Sequence, residues 1–111
     1  MLSSPNIQTL SISGGQVSGS LLVDKNNNKV VLIAQNLPAL TENQIYQIWL
    51  VKPDGGRVSA GLFHPESGQS YTTKTILPTQ SLSNYLRIGV TIEPAGGSDK
   101  PTGTRIFKVD F

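Results

Sequence analysis

Apolar and polar side chains alternate with a period of two along most of this chain, the pattern that sends successive side chains to opposite faces of a β-strand. It is clearest from Arg87 to Glu93, where Ile88, Val90 and Ile92 alternate with Arg87, Gly89, Thr91 and Glu93. Ahead of it the same pattern predicts strands over Ile7 to Ile12, Gln16 to Val23 and Val30 to Ala34. Gly14-Gly15 turns the chain between the first two. The asparagine-rich tip from Asp24 to Lys29 closes a hairpin between the second and third. Ile45 to Val51 is apolar on both faces, with Tyr46, Ile48 and Leu50 on one and Ile45, Trp49 and Val51 on the other. A strand of that kind sits centrally in a sheet and is covered on both sides.

Pro53-Asp54-Gly55-Gly56 turns into a strand over Arg57 to Phe63, and His64-Pro65-Glu66-Ser67-Gly68 into one over Tyr71 to Leu77, ended by Pro78. Ser81 to Tyr85 reads as one irregular helical turn. Thr104 to Phe111 is a last strand with Phe107, Val109 and Phe111 facing inward and Lys108 and Asp110 outward. About eight short strands, with turn signals every ~8–12 residues, predict an all-β protein: an antiparallel β-sandwich of the immunoglobulin-like, Greek-key type. No segment holds a 3.6-residue period, and the connections are too short for helical crossovers. Residues 1–6 are expected to be a flexible lead and residues 7–111 one domain, a size that suits a single core.

Composition agrees with many turns and little helix. Of 111 residues, 37 % are hydrophobic and only 14 % charged, while glycine, serine, threonine and asparagine abound. The nine lysines and arginines are scattered among acids for a net charge of +2, so no nucleic-acid footprint is expected. There is no cysteine, which excludes disulfides, thiolate metal sites and cysteine catalysis. No apolar run approaches the ~20 residues that span a bilayer, and the N-terminus lacks the regions of a signal peptide.

Candidate chemistry is sparse. His64 is the one histidine, in a proline turn beside Glu66. With no second histidine to join it, neither a metal site nor a cofactor is expected. No G-x-S-x-G nucleophile elbow occurs, and Lys100-Pro101-Thr102-Gly103 only superficially resembles a Lys-Thr-Gly motif. Glu93 and Asp99 are a conceivable carboxylate pair, but loop carboxylates are common and no catalysis is expected. Pro94 removes a backbone donor, so strand pairing should stop there. Gly96-Gly97-Ser98 offers backbone amides that suit an anion, yet its spacing is not that of a phosphate loop. The favoured reading is structural: Glu93 accepts hydrogen bonds from amides of its own glycine-rich loop, stiffened on its far side by Pro101. Trp49, the sole tryptophan, is expected in the core, with Gly61 and Gly89 making room for its ring. A sugar-stacking role is the rival, in a chain with few other aromatics.

Three ordered segments carry a family signal. They are Leu37-Pro38-Ala39-Leu40 with Tyr46-Gln47-Ile48-Trp49-Leu50-Val51; Val58-Ser59-Ala60-Gly61-Leu62-Phe63; and Val90 to Ser98 with Glu93, Pro94, Gly96, Gly97 and Ser98, followed by Pro101-Thr102-Gly103. In this order they resemble the C-terminal domain of the anti-sigma-K factor (RskA-like) family, over about Leu10 to Ile106. Thr41-Glu42-Asn43-Gln44 stands where the family pattern has a Pro/Gly-rich turn. The resemblance implies a bacterial transcription regulator whose cytoplasmic N-terminal part sequesters an extracytoplasmic-function sigma factor. It also implies a membrane helix, a domain like this one on the extracytoplasmic side, and release of the sigma factor by regulated proteolysis through a membrane protease. This chain would be the non-catalytic sensory or protective module, with neither sigma inhibition nor membrane insertion of its own. The alternative is a secreted or surface sandwich that binds a carbohydrate or peptide.

Overall fold

The computed structural model describes residues 7–14, 16–65 and 71–110. Its strands are β1 (Ile7–Gly14), β2 (Val17–Asp24), β3 (Lys29–Gln35), β4 (Gln44–Val51), β5 (Arg57–Phe63), β6 (Tyr71–Ile76), β7 (Arg87–Pro94) and β8 (Arg105–Asp110). One 3-10 turn, Leu82–Asn84 capped by Ser81 and Tyr85, is the irregular helical turn read from the sequence. The strands form two antiparallel sheets, ordered β1-β2-β3-β6 and β5-β4-β7-β8. The chain changes sheet after β3, β5 and β6, and β4 pairs on both edges, with β5 and β7. Leaving β1 aside, this is the connectivity of an immunoglobulin-like sandwich.

Alternation explains which faces meet. Leu21 and Val23, Val30 and Leu32, Tyr46, Ile48 and Leu50, and Ile88 and Val90 are almost wholly buried between the sheets. Each contributes roughly 1.5–3 kcal/mol by leaving water. The β2–β3 tip is set by its polar residues. Asp24 accepts from the Asn27 backbone N–H (3.2 Å) and side-chain amide (2.8 Å). Asn28 takes a left-handed φ of 53°, which asparagine tolerates. Its side-chain amide donates to the Pro78 and Gln80 carbonyls, and its Oδ1 accepts from Leu82 N–H at 2.7 Å. The hairpin tip is thereby tied to the segment that leads into the 3-10 turn.

Several boundaries differ from the sequence reading. β1 runs on through Gly14, and β6 stops at Ile76, one residue before Leu77. Pro94 ends pairing as expected: it is the last residue of β7, and its pair with Gln44 closes the β4–β7 ladder. Pairing of β7 with β8 ends earlier, at Thr91, after a bulge between Val90 and Thr91. The missing Pro94 donor therefore costs no ladder bond on the β8 side. The flexible lead (residues 1–6), Gly15 of the first turn, Glu66-Ser67-Gly68 and the inward Phe111 fall outside the described residues.

Candidate functional site

The outer face of the second sheet carries the side chains that the core does not absorb. Gln47 and Trp49 on β4, and Thr91 and Glu93 on β7, point away from the first sheet, yet all four are buried, Glu93 with 1 % exposure. The loop from Ala95 to Thr104 covers them. Trp49 is therefore buried without belonging to the inter-sheet core. Its Nε1–H donates to Thr91 Oγ1 at 2.8 Å, and Thr91 Oγ1 donates in turn to Glu93 Oε2 at 2.5 Å.

Glu93 receives the loop from the other side. Thr102 N–H is shared between its two oxygens (3.2 and 3.1 Å), and Thr102 Oγ1 donates to Oε1 at 2.6 Å. Gly103 N–H reaches Oε2 at 3.3 Å. The amides of Gly96 and Gly97, which the sequence made candidates, are not among its donors. Gly97 N–H instead closes a turn onto the Pro94 carbonyl at 2.9 Å, with a left-handed φ of 84° that favours glycine. Burial raises the pKa of the Glu93 carboxyl. Hydrogen bonds from the Thr102, Thr91 and Ser98 side chains and from the Thr102 N–H more than offset this, holding it at about 2 against an ordinary 4.5. A carboxylate so saturated and so acidic is a fixed acceptor, and it is ill suited to carrying a proton near neutral pH.

Three further anchors hold the loop. Gln47 accepts from Ser98 N–H at 2.8 Å and donates to Ser98 O at 3.0 Å and to Ser59 Oγ at 2.7 Å. Ala95 N–H donates to Asn43 O, and Ile92 N–H takes Thr104 O. Gly103 lies so close to β7 that a Cβ would come within 1.7 Å of Ile92 O, so no other residue fits. Pro101 is half-buried between these anchors. Among the described residues every buried side-chain nitrogen and oxygen finds a partner.

The structure separates other predicted groups. Asp99 is exposed while Glu93 is buried beneath the loop, so the two are not a carboxylate pair. His64 is exposed, and the described residues contain no cluster of three or more metal-ligating side chains. Gly61 does not make room for Trp49: it pairs with Ile48, and a Cβ there would meet Lys74 and Ile48 on the opposite face. Gly89 is the cross-strand partner of Trp49, but a Cβ there would meet only Phe107 O and Lys108 Cβ. The Tyr46 hydroxyl donates to Pro38 O, and burial pushes its pKa up to about 12. Its ring stacks on Phe63 with centroids 5.3 Å apart. Sequence reasoning missed Gln47, Thr91 and Thr102. The signal for the first two was a polar residue within an otherwise buried strand.

Residues 1–105 match the family model described as "Anti-sigma-K factor rskA, C-terminal". The chain is 33 % identical over 104 residues to the anti-sigma-K factor RskA of Mycobacterium ulcerans, covering 94 % of this chain and 43 % of that protein. It is 34 % identical over 109 residues to RskA of Mycolicibacterium vanbaalenii (96 % and 43 %). It is 30 % identical over 113 residues to an uncharacterised protein of Streptomyces griseus (100 % and 45 %). The chain thus spans less than half the length of these relatives, and no solved structure matches it. With the match covering nearly every residue, from the first strand through the loop that Glu93 holds, this chain belongs to the anti-sigma-K factor family, in its C-terminal domain.

Proposed function

We propose that this chain is the non-catalytic sensory and protective domain of a membrane-anchored anti-sigma factor. It lies on the extracytoplasmic side. The N-terminal part of the parent protein binds the sigma factor, and a membrane protease releases it by regulated cleavage. The observation that carries this reading is the family match over residues 1–105. No helix among the described residues is long and apolar enough to cross a membrane; in this reading the anchor is a separate segment of the parent.

The geometry supports a shielding role. The longest loop of the second sheet, an obvious target for a protease, is held to the sheet by Glu93, Gln47 and Gly103. Proteolysis needs chain that has opened locally, so pinning such a segment lowers the population that can be cut. The test removes residues 7–110 from the parent protein and follows a sigma-dependent reporter. Reporter output should rise, and the rise should vanish when the membrane protease is also deleted. Unchanged output together with unchanged cleavage of the parent would overturn the protective role.

A further inference from the structure

Five of the chain's nine basic side chains, scattered in sequence, line one groove on the outer face of the second sheet. Strand register brings them there. Arg57 lies opposite Val51, which lies opposite Arg87. In the next row Trp49 lies opposite Gly89, and Gly89 opposite Lys108; in the third, Gln47 lies opposite Thr91 and Thr91 opposite Arg105. The Glu93-held loop adds Lys100 and Pro101 to one wall, and the β4–β5 turn adds Gly55 and Gly56. The space enclosed is about 670 Å³.

The charge is unbalanced. Asp99 is the sole acidic residue in the lining. Arg87 is engaged by Asp110 at 2.6 Å, but Arg57, Lys100, Arg105 and Lys108 make no ion pair among the described residues. Gathering like charges is unfavourable and gains nothing for the fold. Gly89, at mid-strand on the floor, points the same way. Its φ is not left-handed, and a Cβ there would make only ordinary contacts at 3.6 and 4.0 Å. Glycine weakens a strand interior, yet neither backbone nor packing requires it here. What its absent side chain does is keep the floor open between the cations.

We propose that this groove binds a linear polyanion carrying phosphate or carboxylate groups. Arg57 on β5 and Arg105 and Lys108 on β8 are separated by three strand spacings, roughly 14 Å. One phosphate cannot reach across that span, whereas a chain of regularly spaced oxyanions can. Guanidinium forks suit such oxyanions in two-pronged fashion. The recessed floor favours a thin flexible chain over a flat membrane or a rigid duplex. This inference concerns the domain alone and is independent of the sigma-factor reading.

Calorimetric titration of the chain tests it, using inorganic polyphosphate, oligogalacturonate, inorganic phosphate, phosphatidylglycerol vesicles and duplex DNA as probes. Polyphosphate or oligogalacturonate should bind one site, more weakly as salt rises, and whichever binds tighter identifies the oxyanion. Inorganic phosphate should bind at least about tenfold more weakly. The double variant Arg57→Gln with Arg105→Gln should lose about tenfold or more in affinity and lower the salt slope by about two. Gly89→Thr, which fills the floor and leaves every charge in place, should also weaken binding while thermal unfolding stays near wild type. The proposal is overturned if neither linear probe binds, if both variants bind as wild type does, or if vesicles or duplex bind as tightly.

Discussion

Replacing Glu93 by glutamine exchanges a saturated carboxylate for a group that must present two N–H donors to a site lined with donors. The wild-type oxygens accept from Thr91 Oγ1, Thr102 N–H, Thr102 Oγ1 and Gly103 N–H. The least damaging placement puts Nε2 at the Oε1 position, where the Thr102 hydroxyl can rotate to accept. Even so, the charge assistance of every bond is lost and Thr102 N–H keeps a single acceptor. Bonds to charged groups contribute about 1.5–3 kcal/mol each, and a weakened buried donor costs about 1–3 kcal/mol. A net loss of about 3 kcal/mol follows. The same bonds set the titration: a carboxylate at about 2 instead of the ordinary 4.5 contributes about 3 kcal/mol at neutral pH. The sign is fixed because the folded-state pKa is the lower one. The contribution is complete above about 4.5 and is lost as pH falls toward about 2. Urea unfolding followed by the fluorescence of Trp49, the only tryptophan, reads both proteins from pH 7 down to pH 2. The gap between wild type and Glu93→Gln should be about 3 kcal/mol at neutral pH and should close on acidification. Asp24 and Asp110 also sit below their ordinary values, but they are common to both proteins and cancel. A gap under ~0.5 kcal/mol at pH 7, or one that does not change with pH, would refute the latch.

Other substitutions probe the remaining contacts. Gly103→Ala places a Cβ against Ile92 O and should destabilise by at least ~2 kcal/mol, with faster amide exchange at Thr102 and Thr104. Gly89→Ala meets only ordinary contacts and should be neutral or stabilising by up to ~1 kcal/mol in thermal unfolding. Asn28→Gly keeps the left-handed backbone but deletes the bonds to Pro78, Gln80 and Leu82; chemical unfolding should show a loss of about 1–2 kcal/mol. Asp110→Asn removes an ion pair whose side chains are 37 % and 68 % exposed, so thermal unfolding should shift little and the shift should shrink in salt.

The strands were legible because alternation and turn residues are local signals. Ile88, Val90 and Ile92 announce an inner face whatever follows them, and Asp24 to Lys29 announces a reversal. The two apolar faces of β4 correctly marked a central strand, but its second cover is a loop and not another sheet. Trp49 therefore lies outside the inter-sheet core, on the face that alternation sets apart from Tyr46, Ile48 and Leu50; the loop that buries it there is what the pattern did not show. Glu93 was recognisable as a carboxylate at a strand end before a glycine-rich segment. Its backbone donors lie nine and ten residues on, where only the folded loop returns them. Pro94 was a local signal of the same kind, and β7 ends on it. The basic groove was invisible for a different reason: its cations come from β5, β7, β8 and a loop, and only the order β5-β4-β7-β8 assembles them.

The central claim is that the stability of this domain governs cleavage of its parent. It is tested most directly by measuring the cleavage rate of the full-length parent protein in cells carrying wild type, Glu93→Gln or Gly103→Ala, with Gly89→Ala as the stability-neutral control. Cleavage and sigma-dependent transcription should both rise in the two destabilised variants, in the order of their measured loss of stability, and should not rise for Gly89→Ala. Equal cleavage rates across variants whose unfolding free energies differ by about 3 kcal/mol would contradict the account.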